Sequence, residues 1–158
     1  MSNGAKNVFI SHIHEDDELL QNLKELLTRK GYEIKDGSID SSKPNEATSE
    51  EYIKSEILAP RIRWAGALVV LLTPGTKASP YVEWEIDYAL KQGKRIVGVW
   101  AQGAQGTEGP ENLEMYADAV VGWQADRVMD AIIGEINNWY GPDGVERMPR
   151  KIDRYSCK

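Results

Sequence analysis

The sequence predicts a doubly wound α/β domain built on a five-stranded parallel sheet, and three observations predict it. Strand-like and helix-like patterns alternate from one end to the other, as parallel strands joined by crossover helices require. The runs 7–11, 66–73 and 94–100 are nearly continuous in apolar residues, the pattern of strands covered on both faces. A length of 158 residues, with 41% hydrophobic and 28% charged content, suits one domain with a full core.

Each element has a local reason. "NVFIS" (7–11) is a short apolar run that stops at a polar cluster, as a buried first strand does. In "EDDELLQNLKELLTRKG" (15–31), Leu19, Leu20, Leu23, Leu26 and Leu27 recur at helical spacing. Acids fill its first turn, while Arg29, Lys30 and Gly31 close it. "YEI" (32–34) reads as a brief second strand. The stretch 35–51, rich in Ser and Asp with Gly and Pro, is loop-like and leads into a helix over about 49–59. "GALVVLLT" (66–73) is the central strand, and "KRIVGVW" (94–100) follows it after the helix that opens at Ser79. "ADAVVGW" (117–123) completes the five strands, and "DRVMDAIIGEINNWY" (126–140) reads as a closing helix. The glycines after Trp100 lack the Gly-x-Gly-x-x-Gly order of a dinucleotide turn, so that stretch reads as a flexible loop. The domain is expected to span 1–140, with 141–158 as a basic, peripheral tail.

Bulk properties narrow the function. A net charge of −6 argues against nucleic acid as the main partner, since a phosphate backbone needs clustered cations. Cys157 is the only cysteine, and His12 and His14 are the only histidines, so no metal site is expected. The N-terminal stretch has no signal-peptide core, and the longest apolar run, 65–72, is too short to cross a bilayer. The expectation is a cytoplasmic protein with no membrane partner.

In a parallel sheet, ligands collect beyond the carboxyl ends of the strands. That draws attention to Ser11 and His12, Lys35 and Asp36, Thr73 to Ser79, and the loop after Trp100. Ser79 and Pro80 start a helix, Ser by capping a free N–H and Pro by suiting the first helical position. At about 100° per residue, Val82, Ile86 and Ala89 fall on one side and should meet the sheet. Glu83, Asp87 and Lys91 form a solvated stripe, and Tyr81, Trp84 and Tyr88 an aromatic one. Glu85 lies between the aromatic and core-facing sectors, where a carboxylate suffers desolvation unless something holds it. Two possibilities stand on geometry alone: a functional carboxylate, or a boundary glutamate that reaches water or pairs with a cation. The acids Glu15, Asp16, Asp17 and Glu18 are accounted for by the dipole of the helix they open.

The segment "NVFISHIHEDDELLQNLKELL" resembles the opening box of TIR domains, in which a Phe-Ile-Ser strand end is followed by a polar loop and an amphipathic helix. "SPYVEWEIDYALKQGKRIVGVW" resembles the family's later helix, where an aromatic residue precedes a glutamate by four positions. With "KPNEATSEEYIKSEILAPRI", the chain is most similar to standalone TIR-like proteins of the ThsB type from the bacterial Thoeris anti-phage system, over roughly residues 6–139. The resemblance implies a flavodoxin-like, TIR-like fold. It also implies cleavage of NAD⁺ at the nicotinamide–ribose bond, with NAD⁺ as substrate and no cofactor. The product would be a cyclic or otherwise modified ADP-ribose that switches on a separate effector protein. Carried over by position, the catalytic glutamate falls on Glu85 and its aromatic partner, usually Trp, on Tyr81. Ser11 and His12 fall on the loop bordering the nucleotide pocket. Asp36 opens the long loop, 36–48, that covers the site and mediates assembly.

This chemistry suits a single carboxylate. Nicotinamide leaves as a neutral base from a cationic nucleotide, so no acid is needed, and one anion can steady the charge developing on ribose. Tyr81 and Trp84 are candidates to stack on a flat heterocycle and exclude water. Two alternatives come from other classes. One is a non-catalytic TIR-fold adaptor that assembles through the long loop. The other is a different nucleotide-handling α/β protein, such as a deoxyribosyltransferase relative.

Overall fold

A computed structural model describes residues 6–13, 16–37, 57–101, 109–141 and 145–147. The sheet order is β2-β1-β3-β4-β5-β6-β7, with β1 Lys6–Ser11, β2 Ile34–Asp36, β3 Ala67–Leu72, β4 Arg95–Trp100, β5 Ala119–Val121, β6 Trp139–Tyr140 and β7 Glu146–Arg147. Strands β1 to β6 run parallel, and β7 returns antiparallel along β6. The helices are α1 Asp17–Arg29, α2 Ala59–Trp64, α3 Pro80–Lys91, α4 Glu111–Tyr116 and α5 Ala125–Ile133. Helices α1 and α5 pack together on one face, and α3 packs against both α2 and α4 on the other.

The core follows from the pattern of the strands. All six residues of β3 are buried, as are Val8, Phe9 and Ile10 of β1 and Ile96 to Trp100 of β4. Leu20, Leu23 and Leu27 of α1, Val82, Ile86 and Ala89 of α3, and Val128, Ala131 and Ile132 of α5 close over the two faces. Burying a Val, Leu, Ile or Phe side chain contributes roughly 1.5–3 kcal/mol, so the sheet and the helix faces that cover it together stabilise the fold. Because β1 leads left to β2 while β3 leads right to β4, strand order reverses between β1 and β3. That is the crevice where ligands settle in doubly wound sheets.

The sheet has six parallel strands rather than five. The helix read over 126–140 stops at Ile133, where Gly134 adopts φ +95° and Glu135 N–H turns back to Asp130 O at 2.8 Å. A left-handed glycine is a common helix stop, and it frees Trp139 to join the sheet beside Val120. Trp139 is buried, and its indole N–H donates to Ala117 O at 3.2 Å. Strand β2 begins at Ile34 rather than Tyr32, because Gly31 (φ +85°) takes up the turn and the Tyr32 hydroxyl reaches Asp126 at 2.6 Å. Most of the helix read over 49–59 falls on residues 38–56, outside those described. Helix α2 instead begins at Ala59, with Pro60 in its first turn where no N–H is missed. Helix α4 replaces the far end of the glycine-containing loop, anchored by buried Leu113. In the stretch read as a tail, β7 forms the sheet edge, and 148–158 lie outside the described residues. Among the described residues no helix is long and apolar enough to cross a membrane.

Candidate functional site

Helix α3 carries its residues as the 100° spacing predicts. Ser79 Oγ accepts the Val82 N–H at 3.2 Å, so the cap is formed. Glu83, Asp87 and Lys91 are exposed, and Asn112 of α4 donates to Glu83 O at 2.9 Å and Asp87 Oδ1 at 3.1 Å. Glu85 is 6% exposed and lies beside the end of β1, where Ser11 Oγ donates to its Oε1 at 2.5 Å. No cation among the described residues pairs with it. Neither structural explanation for a boundary glutamate therefore applies: the carboxyl does not reach water and is not neutralised by an ion pair.

Burial pushes the Glu85 carboxyl up to about 8, partly countered by the Ser11 hydroxyl, which favours the anion. A group poised near neutrality in an enclosed position at the sheet's switch point is the pattern functional carboxyls show.

The other candidates are distributed around this pair. The His12 side chain is enclosed, its Nδ1 2.9 Å from Ile10 O and its Nε2 2.9 Å from Asp17 Oδ1, so both ring nitrogens are engaged. Tyr81 and Trp84 are half-buried on α3, one turn before Glu85 and adjacent to it. Trp84 stacks on Tyr88 at 5.1 Å and 8°, and the Tyr88 hydroxyl accepts from Arg63 Nη1 at 2.6 Å. One face of the Trp84 indole is thus already covered. Asp36 ends β2, on the far side of β1 from β3. Its carboxylate accepts the Ile10 N–H at 3.1 Å and pairs with Lys24 of α1 at 3.1 Å, fastening the strand to its neighbours. The structure brings Ser11 directly onto Glu85 and leaves Asp36 with the opposite helix layer.

Two acids behave differently from the helix-dipole explanation. Asp16 is buried, and its Oδ2 accepts the Thr73 hydroxyl at 2.5 Å across the β1–β3 crevice. Asp17 turns to His12. Only Glu18 of the described acids in that cluster is exposed. Thr73 and Thr76, spaced three apart at a strand end, were the available signal, since such hydroxyls commonly bond local backbone.

The model for the Thoeris protein ThsB, TIR-like domain, matches residues 9–106, more than half of the chain. The chain belongs to this family. The TIR domain of a Toll-related receptor from Hydra magnipapillata superposes at a TM-score of 0.52, with 16% identity, over 81% of this chain and 92% of that one. It shows the shared fold. A Clostridium botulinum CMP N-glycosidase (TM-score 0.42, 22% identity, 60% of this chain and 71% of that one) is also similar, more loosely. So is a 2-desoxiribosyltransferase from Leishmania mexicana (TM-score 0.43, 20% identity, 68% and 76%). No curated protein matches the sequence. The family match runs from Phe9 within β1 to beyond β4, and so includes Ser11, Thr73, Tyr81 and Glu85 of the ThsB-type domain.

Proposed function

We propose that this ThsB-type domain cleaves the nicotinamide–ribose bond of NAD⁺, acting as a nucleosidase or cyclase, with Glu85 as the catalytic group. The observation that carries the reading is the Glu85 carboxyl, buried at the switch point, held by Ser11 and paired with no cation among the described residues. Enclosing such a group costs stability and gives an adaptor nothing. For an enzyme that must steady a ribosyl cation, it supplies a fixed negative charge in a dry setting, where electrostatics are strong.

The free carboxyl, pushed up to about 8, is largely protonated at neutral pH. Entry of a cationic nicotinamide ring favours the anion, because an opposite charge lowers a carboxyl's proton affinity. Substrate binding then generates the charged form beside C1′ of the ribose, the carboxyl's proton passing to water as the ring enters. As the bond to nicotinamide lengthens, both electrons leave with the pyridine nitrogen, and the carboxylate stabilises the positive charge left on the sugar. Capture by water yields ADP-ribose; capture by a nucleophile within the same nucleotide yields a cyclic product. Tyr81, one turn before Glu85, and Trp84, next to it in sequence, would flank the base. A product of either kind would act on a separate effector in anti-phage defence, the role that family membership suggests.

The test is incubation of the purified full chain with NAD⁺, following nicotinamide release by chromatography and identifying the nucleotide product by mass spectrometry. Glu85→Gln should reduce release by about a hundredfold or more, the scale for removing one transition-state electrostatic contact. Glu83→Gln, on the exposed stripe, should leave it unchanged. Full activity in Glu85→Gln removes Glu85 from the mechanism. Absence of release from the wild type favours the adaptor.

A further inference from the structure

We propose that Asp16 is a positioning residue for Glu85, acting through Thr73 and Thr76 at the end of β3. The inference rests on the assignment of Glu85 as the catalytic group. Three hydroxyl and carboxylate side chains form one enclosed unit there: Asp16 is 8% exposed, Thr73 3% and Thr76 0%. The Thr73 hydroxyl donates to Asp16 Oδ2 at 2.5 Å. The Thr76 hydroxyl donates to Leu71 O at 3.0 Å and accepts the Thr73 N–H at 2.9 Å. The two hydroxyl oxygens lie 3.1 Å apart. With two hydroxyl protons and two outside acceptors, the directions are fixed. Thr76 satisfies the strand end, and Thr73 is left to Asp16.

The unit stands where it can set the helix. Ser79 N–H donates to Thr76 O at 3.1 Å, and Ser79 caps α3 through Val82. Helix α3 then carries Glu85 back to Ser11 at the end of β1. The Asp16 N–H donates to Ile13 O at 2.9 Å, which ties Asp16 to the residues that follow β1. Two residues therefore hold α3 from the β1 side, Ser11 at the end of the strand through the Glu85 carboxyl and Asp16 through Thr73 and Thr76 at the helix's approach. Because the Asp16–Thr73 contact crosses the crevice where strand order reverses, it fixes the width of the site as well as the height of the helix. A displacement of about 1 Å in a catalytic group can cost a hundredfold in rate, so such a brace is functional rather than decorative. A positioning residue of this kind touches neither substrate nor the reacting atoms.

Two readouts test this. The first is the titration of Glu85, followed by ¹³C NMR of glutamate-labelled full chain and assigned from the signal lost in Glu85→Gln. Thr73→Val keeps the shape and removes the hydroxyl. It should loosen the helix approach, admit water to Glu85 and move its midpoint down by about one pH unit. The second readout is turnover of NAD⁺: kcat should fall about ten- to hundredfold with KM within about twofold. Thr73→Ser, which restores the hydroxyl, should recover both. A folded Thr73→Val with the Glu85 midpoint unmoved overturns the proposal. If Thr73→Val does not fold, Asp16→Asn, which weakens the acceptor at constant size, should move the midpoint in the same direction. An unmoved midpoint there overturns the proposal equally. The titration needs no turnover, so a wild type that releases no nicotinamide would sink the nucleosidase reading while leaving this test decisive.

Discussion

The hydroxyl of Ser11 does two things to Glu85 that pull in one direction: it fixes the carboxyl's orientation and it favours the charged form. Burial works against it and dominates, holding the group near 8. Ser11→Ala would remove the one contribution that lowers the midpoint, so the Glu85 titration should move further up. In the pH profile of kcat/KM, which reports the free enzyme, activity should rise with pH as Glu85 ionises. The Ser11→Ala limb should lie at higher pH than the wild-type limb, with kcat at neutral pH reduced. A limb that stays in place, or shifts down, would show that the serine is not what steadies the anion. At this scale the sequence was informative about Glu85, because the 100° spacing alone sets it between the core stripe and the aromatic stripe. It was uninformative about Asp16 and Asp17, since acids at a helix start have an ordinary explanation, and their turn toward Thr73 and His12 depends on how the loop folds in three dimensions.

Among the elements, α3 was the most legible and α5 the least well bounded. The capping pair Ser79 and Pro80, the buried Val82–Ile86–Ala89 stripe and the exposed charges all follow from period and local chemistry. The end of α5 depends on one residue. Gly134 holds φ +95°, and the carbonyls near it are satisfied from outside, Arg95 Nε donating to Ala131 O at 2.6 Å and Nη2 to Ile136 O at 2.7 Å. A Cβ at position 134 meets nothing within 4 Å, so the strain of Gly134→Ala is purely of backbone. That variant should lose about 1–2 kcal/mol in urea unfolding, the cost of a left-handed alanine, with nicotinamide release unaffected because α5 lies on the face opposite α3. A loss within about 0.3 kcal/mol would mean the helix end relaxes out of that conformation. The glycine was visible in the sequence. What was not visible was that Trp139, after it, would be drawn into the sheet by burial and by its bond to Ala117, interactions between residues 22 apart. Strand β2 slipped by two residues for the same reason, its register being set by pairing with β1. Local pattern identifies elements; long-range contacts set their ends.

For the molecule as a whole, a buried glutamate links proton uptake to folding. The unfolded chain releases the Glu85 proton near 4.5, while the native protein keeps it to about 8. Between those values the native state binds one more proton than the unfolded state, so stability falls as pH rises through this interval. The contribution is fully present below about 4.5 and lost by the time pH has passed 8. Its size is on the order of 4–5 kcal/mol, a large part of the stability of any domain. Other groups also titrate across this range, so wild-type stability alone does not isolate the effect. Subtraction does: Glu85→Gln cannot ionise at this position and leaves every other group in place. The difference in unfolding free energy between Glu85→Gln and wild type should be small at pH 5 and grow in favour of the variant toward pH 9. For a chain of 158 residues this corresponds to a gap in Tm on the order of 10 °C at the alkaline end. A gap that does not change with pH would mean the carboxyl is solvated, and the electrostatic basis of the proposed activity would go with it. The same substitution should then reduce nicotinamide release by about a hundredfold or more while strengthening the fold above neutral pH, the signature of a group retained for chemistry at the expense of stability.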